Sequence, residues 1–253
     1  MLKKRDAGET AAKPYGILSG TQPYLESFQA PSGTFDSAGA WTHSYRLHLA
    51  GRKQGAAGFL EIRHEPAAGG AVLHVETHIL HDNGGQQTRA TVQCRADRLC
   101  TPQSWQLESL MSDAAGQPIA NTRVTQRATI GNSGIAIDSN GRKRVLKVSG
   151  PLATNWGLFC AVQRLAAKDA QRFTLLEEMD LIKPNQQLSA GESITFHDLR
   201  LTSYEQTGDG VLPFHYWLDD QHRVLFVLSG QRAYIYDAEA RNHLNQGKKG
   251  RKQ

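Results

Sequence analysis

The chain has 253 residues, a formal net charge of +5 and 39% hydrophobic residues, so it can bury a sizeable core as one large domain or two small ones. Residues 1–13 carry a net charge of +2 and residues 246–253 carry +4, which leaves −1 for the residues between them. Because the positive charge lies at the two ends and the body is near neutral, we expect no nucleic-acid binding by the folded body.

The first twenty residues are mostly small and polar, and we expect a disordered lead over 1–20. Met1 to Arg5 have the basic character of the start of a signal peptide, but no apolar stretch follows them. We therefore expect a periplasmic or cell-envelope location if a signal precedes this sequence, and a cytoplasmic location otherwise. The chain is predicted not to be transmembrane, since no run of 18 apolar residues occurs.

From Trp41 onwards, apolar and polar residues alternate in short segments that turn sequences separate. A period of two is typical of β-strands with one buried face. Two of the turns contain glycines, at 51–55 and at 83–85. The predicted strands of this part cover 45–49, 59–63, 72–81, 88–96, 104–111, 122–130, 134–138 and 144–148. Such regular spacing indicates a sandwich, a barrel or a strongly curved sheet.

One segment departs from the strand pattern. Between 155 and 168 apolar residues recur at helical spacing, which predicts an amphipathic helix with its apolar face on the sheet. Thr154 or Asn155 can cap the start of this helix, and Lys168 suits its end. Further strands are predicted over 173–178 and 193–204.

The stretch 211–237 predicts three short strands joined by turns at 219–222 and 229–232. Its middle run, 224–228, is apolar on both faces, which is typical of a strand at the centre of a sheet. The predicted fold class is therefore mainly β, a curved antiparallel sheet (half-barrel or sandwich) with one amphipathic helix packed on it. We expect a single β-rich domain over 21–240 and a basic disordered tail over 241–253.

Two groups of residues have metal-ligand chemistry. His74, His78 and His81 lie in a segment that alternates as a strand, where four residues span about 13 Å and His81 points to the opposite face. One metal ion cannot bind all three without a bend in the strand, so we predict a polar sheet face instead. The acidic run 177–180 is interpreted as a solvated surface, because it lacks a calcium-loop pattern.

Histidines and carboxylates also surround the turn at 219–222. His215, His222, Asp219 and Asp220 could act together as acid and base in a hydrolase, which is the alternative hypothesis for the function. Aspartate at a turn more often caps its own backbone, and Trp217 beside it is more often a packing residue. No nucleophile elbow, phosphate loop or dinucleotide motif occurs, so no catalytic residue, metal ligand or cofactor is predicted.

The three cysteines leave two alternatives. Cys94 and Cys100 could pair across a strand end in an oxidising compartment. The favoured alternative is that these two residues and Cys160 are small buried hydrophobic side chains.

Parts of the first and last hairpins resemble a family of bacterial β-rich envelope proteins of unknown function, which are similar to lipoprotein-carrier-like proteins. The resemblance covers about a quarter of the body. The residues that carry it are Tyr45, Gly51 and Gly55 around a lysine-containing turn, Trp217 and Asp219 in YWLDD, Arg223-Val224-Leu225, and Tyr234.

The resemblance implies a curved antiparallel sheet around a helix, with a concave apolar surface. Such a surface could hold a lipid-like or other apolar ligand in a non-enzymatic binding or scaffolding protein of the bacterial cell envelope. The residues expected to contact the ligand are Trp156, Phe159, Trp217 and His215.

Overall fold

The computed structural model describes residues 22–50, 56–81, 83–132, 134–166 and 170–249, and within them fifteen strands and three helices. The strands are β1 (Trp41–Leu49), β2 (Gly58–Ala67), β3 (Gly70–His81), β4 (Gly84–Arg95), β5 (Pro102–Asp113), β6 (Val124–Gly131), β7 (Gly134–Ser139), β8 (Arg142–Leu146), β9 (Leu152–Thr154), β10 (Gln171–Glu177), β11 (Leu181–Phe196), β12 (Leu199–Thr207), β13 (Phe214–Leu218), β14 (Val224–Leu228) and β15 (Arg232–Tyr236). The helices are α1 (Gln22–Glu26), α2 (Asn155–Val162) and α3 (Ala240–Lys249).

All fifteen described strands belong to one sheet, in the order β8-β7-β6-β5-β4-β3-β2-β1-β15-β14-β13-β12-β11-β10-β9. The chain therefore starts at the centre, runs outwards through an N-terminal arm (β1–β8), and returns through a C-terminal arm (β9–β15) until β15 pairs with β1. Neighbouring strands are antiparallel except β9 and β10, which are parallel. The end strands β8 and β9 do not pair with each other, so the curved sheet is not closed.

The predicted fold class is confirmed, with 59% of residues in strands and 8% in helices. Of the two predicted forms, the structure has a single curved sheet and not the two sheets of a sandwich. The last three strands lie where the sequence predicted them, and all five residues of β14 are buried. This burial on both faces agrees with the central position predicted from the apolar run.

Helix α2 lies on one face of the sheet, which we call the inner face. Thr154 caps it as predicted, since the backbone N–H of Gly157 donates to the Thr154 hydroxyl at 2.8 Å. The prediction of an amphipathic helix over 155–168 was wrong in two respects. The helix ends at Val162, and every residue from Trp156 to Val162 is buried. A helix that is apolar all round is enclosed by the rest of the core, and here the curved sheet encloses it.

The opposite, outer face has its own smaller apolar clusters under α1 and α3. Leu25 of α1 packs on a cluster that includes Trp217 and Phe226, and Ala240 and Leu244 of α3 pack with Phe59. The structure thus has a helix over Ala240–Lys249, where the sequence predicted a disordered tail from 241. The predicted lead over 1–20 lies outside the described residues. None of the described helices is long and apolar enough to cross a membrane.

One predicted strand proved to be two. The segment 193–204 contains the end of β11 and the start of β12, joined by a turn at His197 and Asp198. Both turn residues have positive φ, of 45° and 60°. Turns of this kind usually carry glycine or asparagine, so the turn has no sequence signal. The glycine turn predicted at 51–55 lies outside the described residues.

Candidate ligand pocket on the inner face

The structure divides the four predicted ligand residues between the two faces of the sheet. Trp156 and Phe159 lie on α2 within the inner core. Trp217 belongs to the outer cluster, and His215 has the same orientation two residues before it in β13. These four side chains therefore do not line one surface.

Phe159 is enclosed by other aromatic rings. Its ring centroid lies 5.1 Å from that of Tyr45, 5.9 Å from that of Tyr216 and 5.7 Å from that of Tyr234. Only 4% of Phe159 is exposed, so its place is in the core between α2 and the sheet.

Trp156 lines an open cavity of about 500 Å³ on the inner face, which we call the inner pocket. The inner pocket lies between strands β4–β8, the first turn of α2 and the turn between β10 and β11. Its lining residues are Gln86, Thr88, Leu107, Ser109, Val124, Gln126, Ser139, Arg142, Lys143, Arg144, Trp156, Glu178 and Asp180.

Strand register brings the polar part of this lining together. Ser109 of β5 pairs with Thr88 of β4 on one side and with Val124 of β6 on the other. In the next row Gln126 of β6 pairs with Ser139 of β7. Directly paired residues point to the same face, so these side chains form rows across the strands.

The polarity of these positions explains why the cavity is open. Inward positions near the middle of the sheet carry large apolar side chains, such as Leu60 and Leu73, which pack in the core with α2. On β4–β7 the inward positions near the pocket carry Thr88, Ser109 and Gln126, which are short or polar. Ser109 and Gln126 are nevertheless buried, because their polar groups are hydrogen-bonded to neighbouring side chains.

Hydrogen bonds hold the polar wall of the inner pocket in place. The Gln86 side-chain amide donates to the Ser109 hydroxyl at 3.0 Å, and the Thr88 hydroxyl lies 3.0 Å from the same oxygen. The Gln126 side chain donates to Ser139 at 3.3 Å and accepts from the Trp105 indole at 2.5 Å. The wall is therefore pre-organised before any ligand arrives.

An apolar surface adjoins this polar wall. Leu107 and Trp156 line the inner pocket, and Val124 beside them is 39% exposed. Met111, which follows Ser109 in the inward alternation of β5, is 42% exposed. Leu107, Val124 and Trp156 line one cavity together, and apolar side chains grouped in this way indicate a binding surface more strongly than isolated ones do.

Ion pairs fix the rim of the inner pocket. Asp180 pairs with Arg144 of β8, and Glu178 lies 3.4 Å from Arg232 of β15. The turn that carries both carboxylates has positive φ at Glu178 and Met179, of 51° and 60°. Met179 is fully buried and anchors this turn in the core. The acidic run, predicted to be a solvated surface, thus makes ion pairs with both arms of the sheet.

Of the four residues of the hydrolase hypothesis, Asp219 has a structural role in the turn after β13, whereas His215 lies in β13 itself, 3.9 Å from Glu205. The Asp219 carboxylate accepts hydrogen bonds from the backbone N–H groups of Gln221 and Arg223, at 3.0 and 2.8 Å. His222 is exposed and has a φ of 62°. This arrangement is the capping turn that the sequence interpretation favoured.

The same turn also binds the segment that precedes β1. Gln221 accepts from the backbone N–H of Phe35 at 2.6 Å and donates to the carbonyl of Gly33 at 3.1 Å. The guanidinium of Arg223 donates to the carbonyls of Pro31 and Gly33, at 3.2 and 3.0 Å. Gln221 and Arg223 therefore fasten the strap over 31–36 to the sheet.

A larger groove, of about 740 Å³, lies on the outer face of β2–β7. Its central charges pair with one another: Arg241 of α3 contacts Glu61 and Glu76 at 2.9 and 2.7 Å, and Arg89 lies 3.5 Å from Glu76. Because these charges are satisfied internally and the lining is mostly polar, we consider the smaller inner pocket, whose lining is mostly apolar, the better candidate.

The histidines of β3 are separated as the strand interpretation predicted. His74 lies 3.3 Å from Glu65, and His78 lies near the ring of Phe59, with centroids 6.2 Å apart. No group of three or more His, Cys, Asp or Glu residues in the described part of the chain has the geometry of a metal site.

Most residues of the inner pocket were not predicted from the sequence. The signal was present in β4, where the inward register of Ala90, Val92 and Cys94 continues to Thr88 and Gln86. A change from apolar to polar residues within one register marks the place where the core ends. Its meaning depends on the position of α2, which the strand pattern does not provide.

Neither the known protein families, nor the curated proteins, nor the solved structures include a match to this chain.

Proposed function

We propose that the protein is a non-enzymatic binding protein that holds an amphipathic ligand in the inner pocket. The apolar part of the ligand would lie against Leu107, Val124 and Trp156, and its polar end would face the basic residues of β8. The observation that carries the proposal is that one open cavity combines an exposed apolar surface with a wall of hydrogen-bonded polar side chains. Its volume of about 500 Å³ is in the range of small-molecule sites.

The polar groups of the pocket favour binding over nucleophilic catalysis. A serine nucleophile needs a hydrogen bond to a base such as histidine. Here Ser109 bonds to Gln86 and Thr88, and Ser139 bonds to Gln126. Amide and hydroxyl groups of this kind orient a ligand without activating it.

A titration with dodecanoate tests this proposal. Dodecanoate has an alkyl chain for the apolar wall and a carboxylate for Arg142 and Arg144. We expect saturable binding to the full chain, followed by tryptophan fluorescence because Trp156 lines the pocket. Native mass spectra of protein purified without detergent would show whether a natural amphiphile is already bound.

Two matched variants locate the binding. Val124→Asp places a charge on the apolar surface of the inner pocket, whereas Val145→Asp makes the same change in β8, where Val145 is 57% exposed and faces outwards. Val124→Asp is expected to weaken dodecanoate binding about tenfold or more, since a charge beside an alkyl chain must lose its water. Val145→Asp is expected to leave the affinity nearly unchanged. Equal losses in the two variants, or no saturable binding to the wild type, would overturn the proposal.

A cell-envelope location, which the family resemblance implies, is part of the proposal. Fractionation of cells that express the natural gene would test it, and recovery only in the soluble cytosolic fraction would contradict it.

A further inference from the structure

The fold brings together cysteines that are far apart in the sequence. Cys94 lies near the end of β4, Cys100 in the loop between β4 and β5, and Cys160 in α2. All three are buried free thiols, as the favoured sequence interpretation expected. The side chain of Arg164 contacts both the Cys160 carbonyl and the sulfur of Cys100. Cys100 therefore lies against α2, beside Cys160.

An arginine covers this pair. Arg164 follows Cys160 by one helical turn, and its Nε donates to the Cys160 carbonyl at 3.4 Å. Its Nη2 contacts the sulfur of Cys100. The hydrogen bond from Cys160 and the charge of Arg164 both lower the pKa of Cys100, although burial opposes them. Burial raises the pKa of Cys160 and of Cys94, so the thiolate forms first at Cys100.

The backbone holds Cys100 close to α2. The Asp97 carboxylate accepts from the N–H groups of Leu99 and Thr101, at 3.1 and 2.9 Å, and Cys100 between them has a φ of 49°. A Cβ atom at Gly157 of α2 would lie 3.3 Å from the Cys100 carbonyl oxygen. Glycine thus permits a close approach of the loop and the helix. A non-glycine residue at positive φ inside such a tight contact is a feature often found at functional sites.

We propose that Cys100 and Cys160 are a redox-active pair that closes to an intramolecular disulfide by reaction with a small disulfide such as oxidised glutathione. The Cys100 thiolate attacks one sulfur of oxidised glutathione, and the disulfide bond breaks to release one glutathione thiolate. Cys160 then loses its proton to solvent, and its sulfur attacks Cys100 in the mixed disulfide and releases the second glutathione. The protein loses two electrons and two protons, and one oxidised glutathione becomes two glutathione molecules.

Arg164 controls access to the pair in this proposal. Cys100 and Cys160 are 0% and 1% exposed, whereas Arg164 is an exposed residue. Its guanidinium would attract the anionic oxidant and move aside to admit it. Cys94 does not take part, because its thiol is directed to the Val92 carbonyl of its own strand, at 4.0 Å. The disulfide would link the N-terminal arm to α2, and Cys94 would stay a free thiol.

Peptide mapping of the full chain tests the proposal. The protein is incubated with oxidised glutathione, its remaining thiols are alkylated after denaturation, and it is digested without reduction. We expect a linked peptide pair that contains Cys100 and Cys160, lighter by two hydrogen atoms than the reduced pair. The link should persist in Cys94→Ser and vanish in Cys100→Ser and Cys160→Ala. Melting of each variant under reducing conditions shows that it is folded.

Two further measurements separate a reactive pair from adjacent inert thiols. Arg164→Gln is expected to slow closure about threefold to tenfold, since the thiolate fraction and the attraction of the oxidant both fall. The oxidised wild type is expected to melt roughly 5–10 °C above the reduced form. Each of three results would overturn the proposal. They are a disulfide link that includes Cys94, glutathione retained on one cysteine, and alkylation of all three thiols.

Discussion

Arg144 in β8 forms an ion pair with Asp180 in the turn between β10 and β11. The two residues belong to different arms of the sheet, whose end strands do not pair. The ion pair therefore joins the arms at the mouth of the inner pocket, where no backbone hydrogen bonds do so among the described strands. The two side chains are 44% and 47% exposed, so the pair contributes little to the free energy of unfolding.

Asp180→Asn tests whether Arg144 binds the ligand. This prediction rests on the proposed function. The substitution releases the guanidinium for a carboxylate ligand, so we expect dodecanoate to bind a few times more tightly. The free energy of unfolding should change by less than about 1 kcal/mol. The affinity for dodecanol, which has the same chain and no charge, should not rise. Weaker binding of both ligands would mean that the ion pair is needed to hold the walls of the pocket in place.

Arg223→Ala should release the strap over 31–36. Arg223 is 4% exposed, and the substitution removes two hydrogen bonds to the strap and leaves Asp219 without its cationic neighbour, whose Nε is 3.9 Å away. We expect a loss of about 2–4 kcal/mol in the free energy of unfolding and faster proteolysis of the strap. Asp220→Asn, an exposed change in the same turn, is the control. Unchanged proteolysis of the strap in Arg223→Ala would contradict its role.

The strand pattern predicted the architecture better than it predicted the site. Alternation sets the face of each side chain, and the run 224–228 indicated the centre of the sheet, because both depend on local sequence. The pairing of β15 with β1 is a contact between residues about 190 positions apart. No local pattern encodes such a contact, so the division into two arms was not predictable.

The four predicted ligand residues show why the site was harder to predict. Trp156 and Trp217 are both buried aromatic residues in the middle of apolar segments, yet one is on the inner face and the other on the outer face. Trp217 alternates with Tyr216 and Leu218 of the inner core, and the position of α2 decides which face of the sheet is the inner one. The residue pattern does not give the position of α2, whereas the resemblance to carrier proteins suggested one continuous surface.

The two most buried tryptophans should respond differently to truncation. The Trp105 indole N–H donates to Gln126, whereas the buried Trp217 N–H has no hydrogen-bond partner among the described residues. Trp105→Phe leaves a buried amide oxygen unsatisfied, and Trp217→Phe removes a donor that was already unsatisfied. We therefore expect Trp105→Phe to cost about 1–2 kcal/mol more than Trp217→Phe in urea unfolding. A larger loss for Trp217→Phe would contradict this assignment.

Buried histidines should make the protein less stable in acid. Burial, with a smaller effect of Arg223, lowers the pKa of His43 to about 3, and burial with Arg46 lowers that of His48 to about 4. In the unfolded chain the pKa of histidine is about 6.5. Between these values the unfolded chain binds protons that the folded chain does not bind, so stability falls as the pH drops below about 6.5. At pH 5 each of the two histidines lowers the free energy of unfolding by about 2 kcal/mol relative to neutral pH.

His48→Leu isolates one of these contributions. Neither ring nitrogen of His48 has a hydrogen-bond partner among the described residues, so the variant loses a titrating group and no polar contact. Urea unfolding gives the free energy of unfolding of each protein at pH 7 and at pH 5. From pH 7 to pH 5, His48→Leu should lose about 2 kcal/mol less of it than the wild type. His222→Asn, which changes an exposed histidine at positive φ, controls for the removal of a surface side chain. If His48→Leu lost as much stability as the wild type between the two pH values, protonation of His48 would not be a cause of the acid sensitivity.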